Sequence, residues 1–332
     1  MSRKKLQHAF GFLILLGSVA LANAQSTSPL HLGKTIVLPG VRGRIDHMAF
    51  DLAHKRLFVA SLGNNSVEAV DIESKKVVAT IKGLAEPQGL LYQAETQELW
   101  IANGGDGVVR IFDARTYRQL RSISLGDDAD NIRRDASTGR VLVGYGSGAI
   151  AIFSAEGNKI ADIKLDAHPE SFQLEKSGTR MFVNLPHSHK VAVINLATST
   201  VIGDFKTGNA QSNFPMALDE GDGRLFIVCR NPAVLLVMDT QSGSVIAELP
   251  TVGDSDDVSY DSARKRLYVS GGEGAIAVYQ QQDRDHYREI ARVATVSGSR
   301  TSLLVPELGL LLVASREQGS SPAAIRVFET SN

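Results

Sequence analysis

Leu99-Trp100-Ile101-Ala102, the turn Asn103-Gly104-Gly105-Asp106-Gly107 and then Val108-Val109-Arg110-Ile111-Phe112 make the stretch from which the architecture can be read. Two runs rich in β-branched and aromatic residues flank a Gly-rich turn, which is the pattern of a β-hairpin. The first run has six further copies: Leu57-Phe58-Val59-Ala60, Val141-Leu142-Val143-Gly144, Met181-Phe182-Val183-Asn184, Leu225-Phe226-Ile227-Val228, Leu267-Tyr268-Val269-Ser270 and Leu311-Leu312-Val313-Ala314. Successive copies begin 42, 42, 40, 44, 42 and 44 residues apart. A repeat of this length without a helical pattern suits a propeller blade of four strands and is too long for leucine-rich or β-helix coils.

Each repeat reads as a polar approach, a short inner strand, the block above, a hairpin, and a third strand. Third strands are expected at 67–72, 108–112, 149–153, 191–196, 234–238, 275–279 and 325–328. A fourth follows in six repeats, near 77–81, 119–124, 159–163, 201–205, 245–249 and 289–293, but the seventh repeat ends after its third. Residues 34–38, ahead of the first repeat, are expected to supply the missing strand and cover an open sheet edge. The fold class is therefore all-β, a seven-bladed β-propeller of four-stranded antiparallel blades whose last blade is completed by an N-terminal strand.

Residues 1–24 read as an export signal. Arg3, Lys4 and Lys5 precede an apolar run at 10–22 and a small-residue site, Ala22-Asn23-Ala24, with cleavage expected before Gln25. The run falls short of the roughly 20 residues that a membrane span needs, so a soluble periplasmic or secreted protein is expected, with one domain over 25–332. Without the leader, 32 of the 35 basic residues remain against 36 acidic ones, a net charge of −4. That balance, with no basic stripe, argues against nucleic acid as a partner. The single cysteine, Cys229, excludes an intrachain disulfide and reads as a small core residue. No C-x-x-C-H sequence is present to attach haem, and no C-x-x-C pair offers a zinc site.

The second repeat resembles the YVTN-type family of β-propellers, in particular its exported YncE-like members. The likeness lies in Leu99-Trp100-Ile101-Ala102-Asn103, the Gly-rich hairpin, 108–113 and the run 120–126, and it extends over the whole chain after the leader. Val143-Gly144-Tyr145 and Ile227-Val228-Cys229 depart from the motif. The resemblance implies the propeller fold; the family and its relatives include binding, surface and lactonase- or lyase-type proteins, so no catalytic residue carries over.

Strand direction alternates within a blade, so the approaches to the inner strands and the hairpins between strands two and three should emerge on one face. The approaches bring Arg44, Asp46 and His47; Glu86 and Gln88; Asp128, Asp130 and Asn131; His168, Glu170 and Ser171; Asn213 and Phe214; Asp254, Asp256 and Asp257; and Arg300, Thr301 and Ser302. The hairpins add Asn64, Asn65, Asp106, Tyr145, His187, His189, Arg230 and Arg316. Loops held around a central concavity are the usual place for a ligand. The candidate mouth is thus Arg44, Asp46, His47, Gln88, Asp130, Asn131, His168, Glu170, Asp256, Asp257 and Arg300.

Asp46, Asp130, Glu170, Asp256 and Asp257 are candidate oxygen ligands for a divalent metal such as calcium. The competing reading is that Asp and Asn serve as turn formers. His47, beside Asp46, is a candidate general base, with Arg44 or Arg300 able to stabilise an anion. Arg133 and Arg134 interrupt the inner strand of the third repeat. Arg133 is expected to be structural, paired with Asp128 or a carboxylate of a neighbouring blade. Gly144-Tyr145-Gly146-Ser147-Gly148 joins two strands and has no helix to offer a phosphate, so it is no dinucleotide site. The leading expectation is a binding or interaction protein for a small molecule, peptide or protein. The alternative is a metal- or His-assisted hydrolase or lyase, lactonase-like, working at the channel mouth.

Overall fold

The structure, a computed structural model, describes residues 28–331. The expected leader and its cleavage site lie outside the described residues. The described chain forms seven four-stranded antiparallel sheets. From the axis outward, blade 1 runs Met48–Asp51, Arg56–Ser61, Ser66–Asp71 and Lys76–Lys82. The innermost strands of blades 2 to 7 are Pro87–Gln93, Ala129–Arg134, Phe172–Leu174, Gln211–Asp219, Ser255–Asp261 and Ser302–Val305. Each innermost strand packs against those of both neighbours, and that of blade 7 packs against that of blade 1. The sheets therefore form a ring. In blade 7 the outermost position is taken by Leu30–Val37, which pairs antiparallel with Ala324–Thr330 and begins four residues before the segment marked in the sequence.

The apolar blocks are the second strands, and they are continuous rather than alternating because both of their faces are buried. Leu57 and Val59 pack toward blade 7, whereas Phe58 and Ala60 pack toward blade 2. The same division repeats around the ring, so that one apolar cluster fills each seam between adjacent blades. Trp100, Phe58, Phe182, Phe226 and Tyr268 are all fully buried in these seams. Each such side chain contributes about 1.5–3 kcal/mol of transfer free energy, so the ring is held by its seams without disulfides. Cys229 is one of these buried residues, in the seam between blades 4 and 5.

The two ends of the ring differ in chemistry. At the end away from the inner-strand approaches, Asp71, Asp113, Asn195 and Asp239 each accept backbone N–H groups from the residues two and three positions on. These are side-chain-stabilised turns. No described helix is long and apolar enough to cross a membrane.

Candidate functional site at the channel mouth

Six of the seven innermost strands start with the same irregularity. The register slips between Pro87 and Leu90, Ala129 and Ile132, Asn213 and Met216, and Ser255 and Asp257. In blade 1, Asp46 N–H donates to Ala60 O while Ala60 N–H donates to His47 O; Glu170 and Ser171 bracket Asn184 likewise in blade 4. In blade 7, Ala314 N–H donates to Thr301 O. Two residues thus stand against one, and a bulge of this kind re-aims side chains that strict alternation would separate. The leading bulge residues are Asp46, Gln88, Asp130, Glu170, Phe214 and Asp256, and Arg300 holds the equivalent position in blade 7. One comes from each blade, and together they line a single cavity of about 410 Å³.

Cations are interleaved with the carboxylates of this ring. Arg44 Nη2 lies 2.8 Å from Asp46 Oδ2. His47 sits between two acids, its Nε2 3.7 Å from Asp46 Oδ1 and its Nδ1 3.7 Å from Asp257 Oδ1. Burial works against the proton on His47, but Asp257, Asp46 and Asp130 outweigh it and hold the imidazole up at about 10. Burial pushes Asp46 up to about 6 in spite of His47 and Arg44. Across the mouth, Arg300 Nη1 lies 3.1 Å from Asp254 Oδ1 and its Nε 3.6 Å from Asp256 Oδ2. Arg230 donates to Ser255 O at 2.9 Å and to Asp256 Oδ1, with its guanidinium 3.9 Å above the centre of the Phe214 ring. Burial also raises Asp256, against the pull of Arg230, Arg44 and Arg300.

Between blades 3 and 4 the composition changes. His168 Nδ1 lies 2.6 Å from Gly146 O, and its Nε2 3.8 Å from Asp130 Oδ2. Burial opposes the His168 proton, but the partnership with Asp130 and the Gly146 carbonyl raises it to about 9. Glu170 is pushed up to about 8, first by burial and then by the nearby Asp130. The donor atoms of Asp130, His168 and Glu170 all lie within 4.8 Å of one another.

The structure brings all the candidate mouth residues to this cavity except Asp257, which stands behind its wall. Its Oδ2 accepts the Ser302 N–H at 2.8 Å. The five carboxylates singled out in the sequence do not share one centre. Asp46 and Asp256 turn to arginines and Asp257 to a backbone amide; Asp130 and Glu170 remain together, joined by His168. Asp128, Ser171, Phe214, His187 and Arg230 also line the cavity. Asp106 instead pairs with Arg110 at 2.6 Å, Tyr145 donates to Asp162 at 2.9 Å, and His189 closes a 3-10 turn in the left-handed region. Asp127, Gly146 and Ser147 are wall residues that the sequence reading did not mark.

The pairing expected between Arg133 and Asp128 is not formed. Asp128 accepts from Gln88 Nε2 at 3.0 Å and faces His168, while Arg133 donates to Ile132 O at 2.9 Å and lies 5.7 Å from the centre of the Phe172 ring. Burial lowers the Arg133 pKa, and the more distant Asp257 and Asp130 offset this only in part. An aromatic face and a carbonyl take the place of the carboxylate partner.

No protein-family profile and no curated protein matches the chain. Among solved structures it is similar to a chain of "Kuenenia stuttgartiensis Hydrazine Synthase", with a TM-score of 0.74 at 16% identity, covering 87% of this chain and 98% of that one. It is also similar to a chain in "Crystal Structure of Mitotic Checkpoint Complex", with a TM-score of 0.76 at 12% identity, covering 97% of this chain and 99% of the other. At such identities the likeness is one of fold, and the chain is a seven-bladed β-propeller.

Proposed function

We propose that this propeller is an exported binding protein, related to the YVTN-type propellers, that holds a small, hydroxyl-rich polar molecule in the channel mouth. The propeller fold is consistent with a binding or interaction role, and the chemistry of the mouth supports the finer reading. One observation carries it. Asn131 and Asp256 each keep a buried polar atom on the cavity wall without a hydrogen bond: the Asn131 amide touches only His47 Nε2, at 3.5 Å, and Asp256 Oδ2 faces Arg300 Nε at 3.6 Å. A buried polar atom left without a partner costs about 1–3 kcal/mol, so the wall is complementary to a ligand that brings hydrogen-bonding groups of its own. Arg44 and Arg300 beside these atoms suit a negative group on the same molecule, such as the carboxylate of a sugar acid. The cavity volume of about 410 Å³ fits a ligand of that size.

The test is calorimetric titration of the exported protein with sugar acids, polyols and their uncharged analogues, repeated on Asn131→Ala and Arg300→Ala. Saturable binding weakened more than about tenfold by each substitution is the expected result, ten-fold being 1.4 kcal/mol. Failure of the whole panel to bind, or affinities untouched by both substitutions, removes the proposal. N-terminal sequencing of the protein recovered outside the cytoplasm tests export, with Gln25 as the expected first residue.

A further inference from the structure

We propose that Asp130, His168 and Glu170 bind one divalent transition-metal ion, of the zinc or manganese class, in the mouth wall between blades 3 and 4. Their ligand atoms already lie within 4.8 Å of one another. Around an ion with bonds of about 2.0–2.2 Å they would stand roughly 3.3–3.6 Å apart, a contraction within reach of side-chain rotation.

The orientation of His168 is a second observation. A carbonyl oxygen only accepts, so the 2.6 Å contact between Nδ1 and Gly146 O places the hydrogen on Nδ1. In the neutral ring the lone pair then sits on Nε2, the nitrogen that faces Asp130 at 3.8 Å. Metal-bound imidazoles are held in this way, one nitrogen donating to a backbone carbonyl and the other directed at the ion. The two carboxylates are not taken up by an arginine or lysine. Among the described residues, Asp130 faces only His168 at ion-pair distance, 3.8 Å, and Glu170 faces no Arg or Lys there, in contrast to Asp256, which holds Arg230.

The third observation is a buried amide with an open valence. Asn131, next to Asp130 on the same bulge, is 1% exposed and lines the same cavity, and its amide touches only His47 Nε2, at 3.5 Å, which leaves one polar atom without a hydrogen-bond partner. One imidazole with two carboxylates favours a borderline ion over calcium, which takes six to eight oxygens. This site does not depend on the small-ligand reading, because the metal alone is the probe.

Untagged protein, stripped by dialysis against a chelator, is titrated calorimetrically with Zn2+, Mn2+ and Ca2+, and its metal content is counted after desalting. One equivalent of Zn2+ or Mn2+ is expected, with Ca2+ at least tenfold weaker. Loss of an outer-shell partner typically weakens metal binding about 10- to 100-fold, so His168→Gln and Glu170→Gln, which remove ligands, should each weaken it at least tenfold. His31→Ala, on an exposed outer strand, should bind as the unsubstituted chain does. Circular dichroism checks the fold of each variant, and the visible spectrum of the Co2+-loaded unsubstituted protein reports imidazole ligation whether or not His168→Gln folds. Substoichiometric uptake, a preference for Ca2+, a Co2+ spectrum without a nitrogen ligand, or unchanged affinity in folded His168→Gln and Glu170→Gln would each overturn the proposal. Sugar-acid binding by a protein that takes up no metal would leave the proposed function standing and remove only this site.

Discussion

Replacing Asn184 by alanine should cost about 3 kcal/mol of folding stability. Asn184 is fully buried in the seam between blades 4 and 5. Its Nδ2 donates to Phe214 O at 2.9 Å and Pro215 O at 3.2 Å, and its Oδ1 accepts from Asn213 Nδ2 at 3.0 Å. Alanine leaves two carbonyls and one N–H of the neighbouring blade without these partners. Asn213 keeps its other bond, to Lys190 O at 3.0 Å. At the low end of roughly 1 kcal/mol for each orphaned group, since truncation makes room for water, the sum is about 3 kcal/mol. Asn184→Asp should be worse, because it retains the acceptor for Asn213 but sets an oxygen against two carbonyls. Asn195→Ala is the control: Asn195 caps an exposed turn through Ala197 and Thr198 N–H at 2.9 and 3.0 Å, and its loss should stay below about 1 kcal/mol. Urea unfolding at constant m-value measures all three. An Asn184→Ala protein as stable as Asn195→Ala would refute the reasoning, as would Asn184→Asp matching the unsubstituted chain.

The His47 imidazole is held up at about 10 against an ordinary 6.5, so the folded state binds its proton more tightly than the unfolded chain does. Its contribution is complete below pH 6.5 and lost as pH rises through 10; urea midpoints of His47→Gln should therefore depend less on pH across that window than those of the parent. Gly89→Ala would place a Cβ 2.1 Å from Asp130 O and 3.2 Å from Asn131 Cα, backbone atoms that cannot swing aside. We expect a loss of about 2 kcal/mol or more in thermal or urea unfolding, together with weakened binding at Asp130. Burial pushes the Cys229 thiol up to about 12, so a disulfide reagent at pH 8 should modify it only after denaturant is added. Rapid modification of the native protein would contradict its burial.

The second strands were legible because two-sided burial writes an unbroken apolar run in every blade, whereas third strands such as Ser66–Asp71 and Val108–Asp113 are interrupted by Glu68 and Arg110. Their spacing then carried the blade number. The inner strands are less legible, since Ser255–Asp261 is largely polar and Gln211–Asp219 opens on Gln211, Ser212 and Asn213, so neither writes a long apolar run. At the mouth, topology was enough to gather Arg44, Asp46, Gln88, Glu170 and Arg300. Asp130 and Asn131 were marked together from the sequence as part of one approach; what stayed hidden is the bulge that lets two consecutive residues both reach the cavity. The aromatic partner of Arg133 is hidden for a related reason: Phe172 is brought beside it by a neighbouring blade, at a distance along the chain that no local pattern encodes. Similarly, the division of the carboxylates between arginines and His168 reflects which blades are adjacent, a relation between repeats and not within one.

Because each blade gives the mouth a single leading side chain, a molecule seated there touches seams all round the ring at once. Occupancy would then act as a keystone. A ligand held by the complete ring and not by the unfolded chain adds RT ln(1 + [L]/Kd), about 2.7 kcal/mol at a hundredfold excess over Kd, and it spreads that gain over every wedge of the arch. Resistance to unfolding becomes a readout of what the pore contains, and a screen for melting-point shifts can search for the natural guest without any assay of activity.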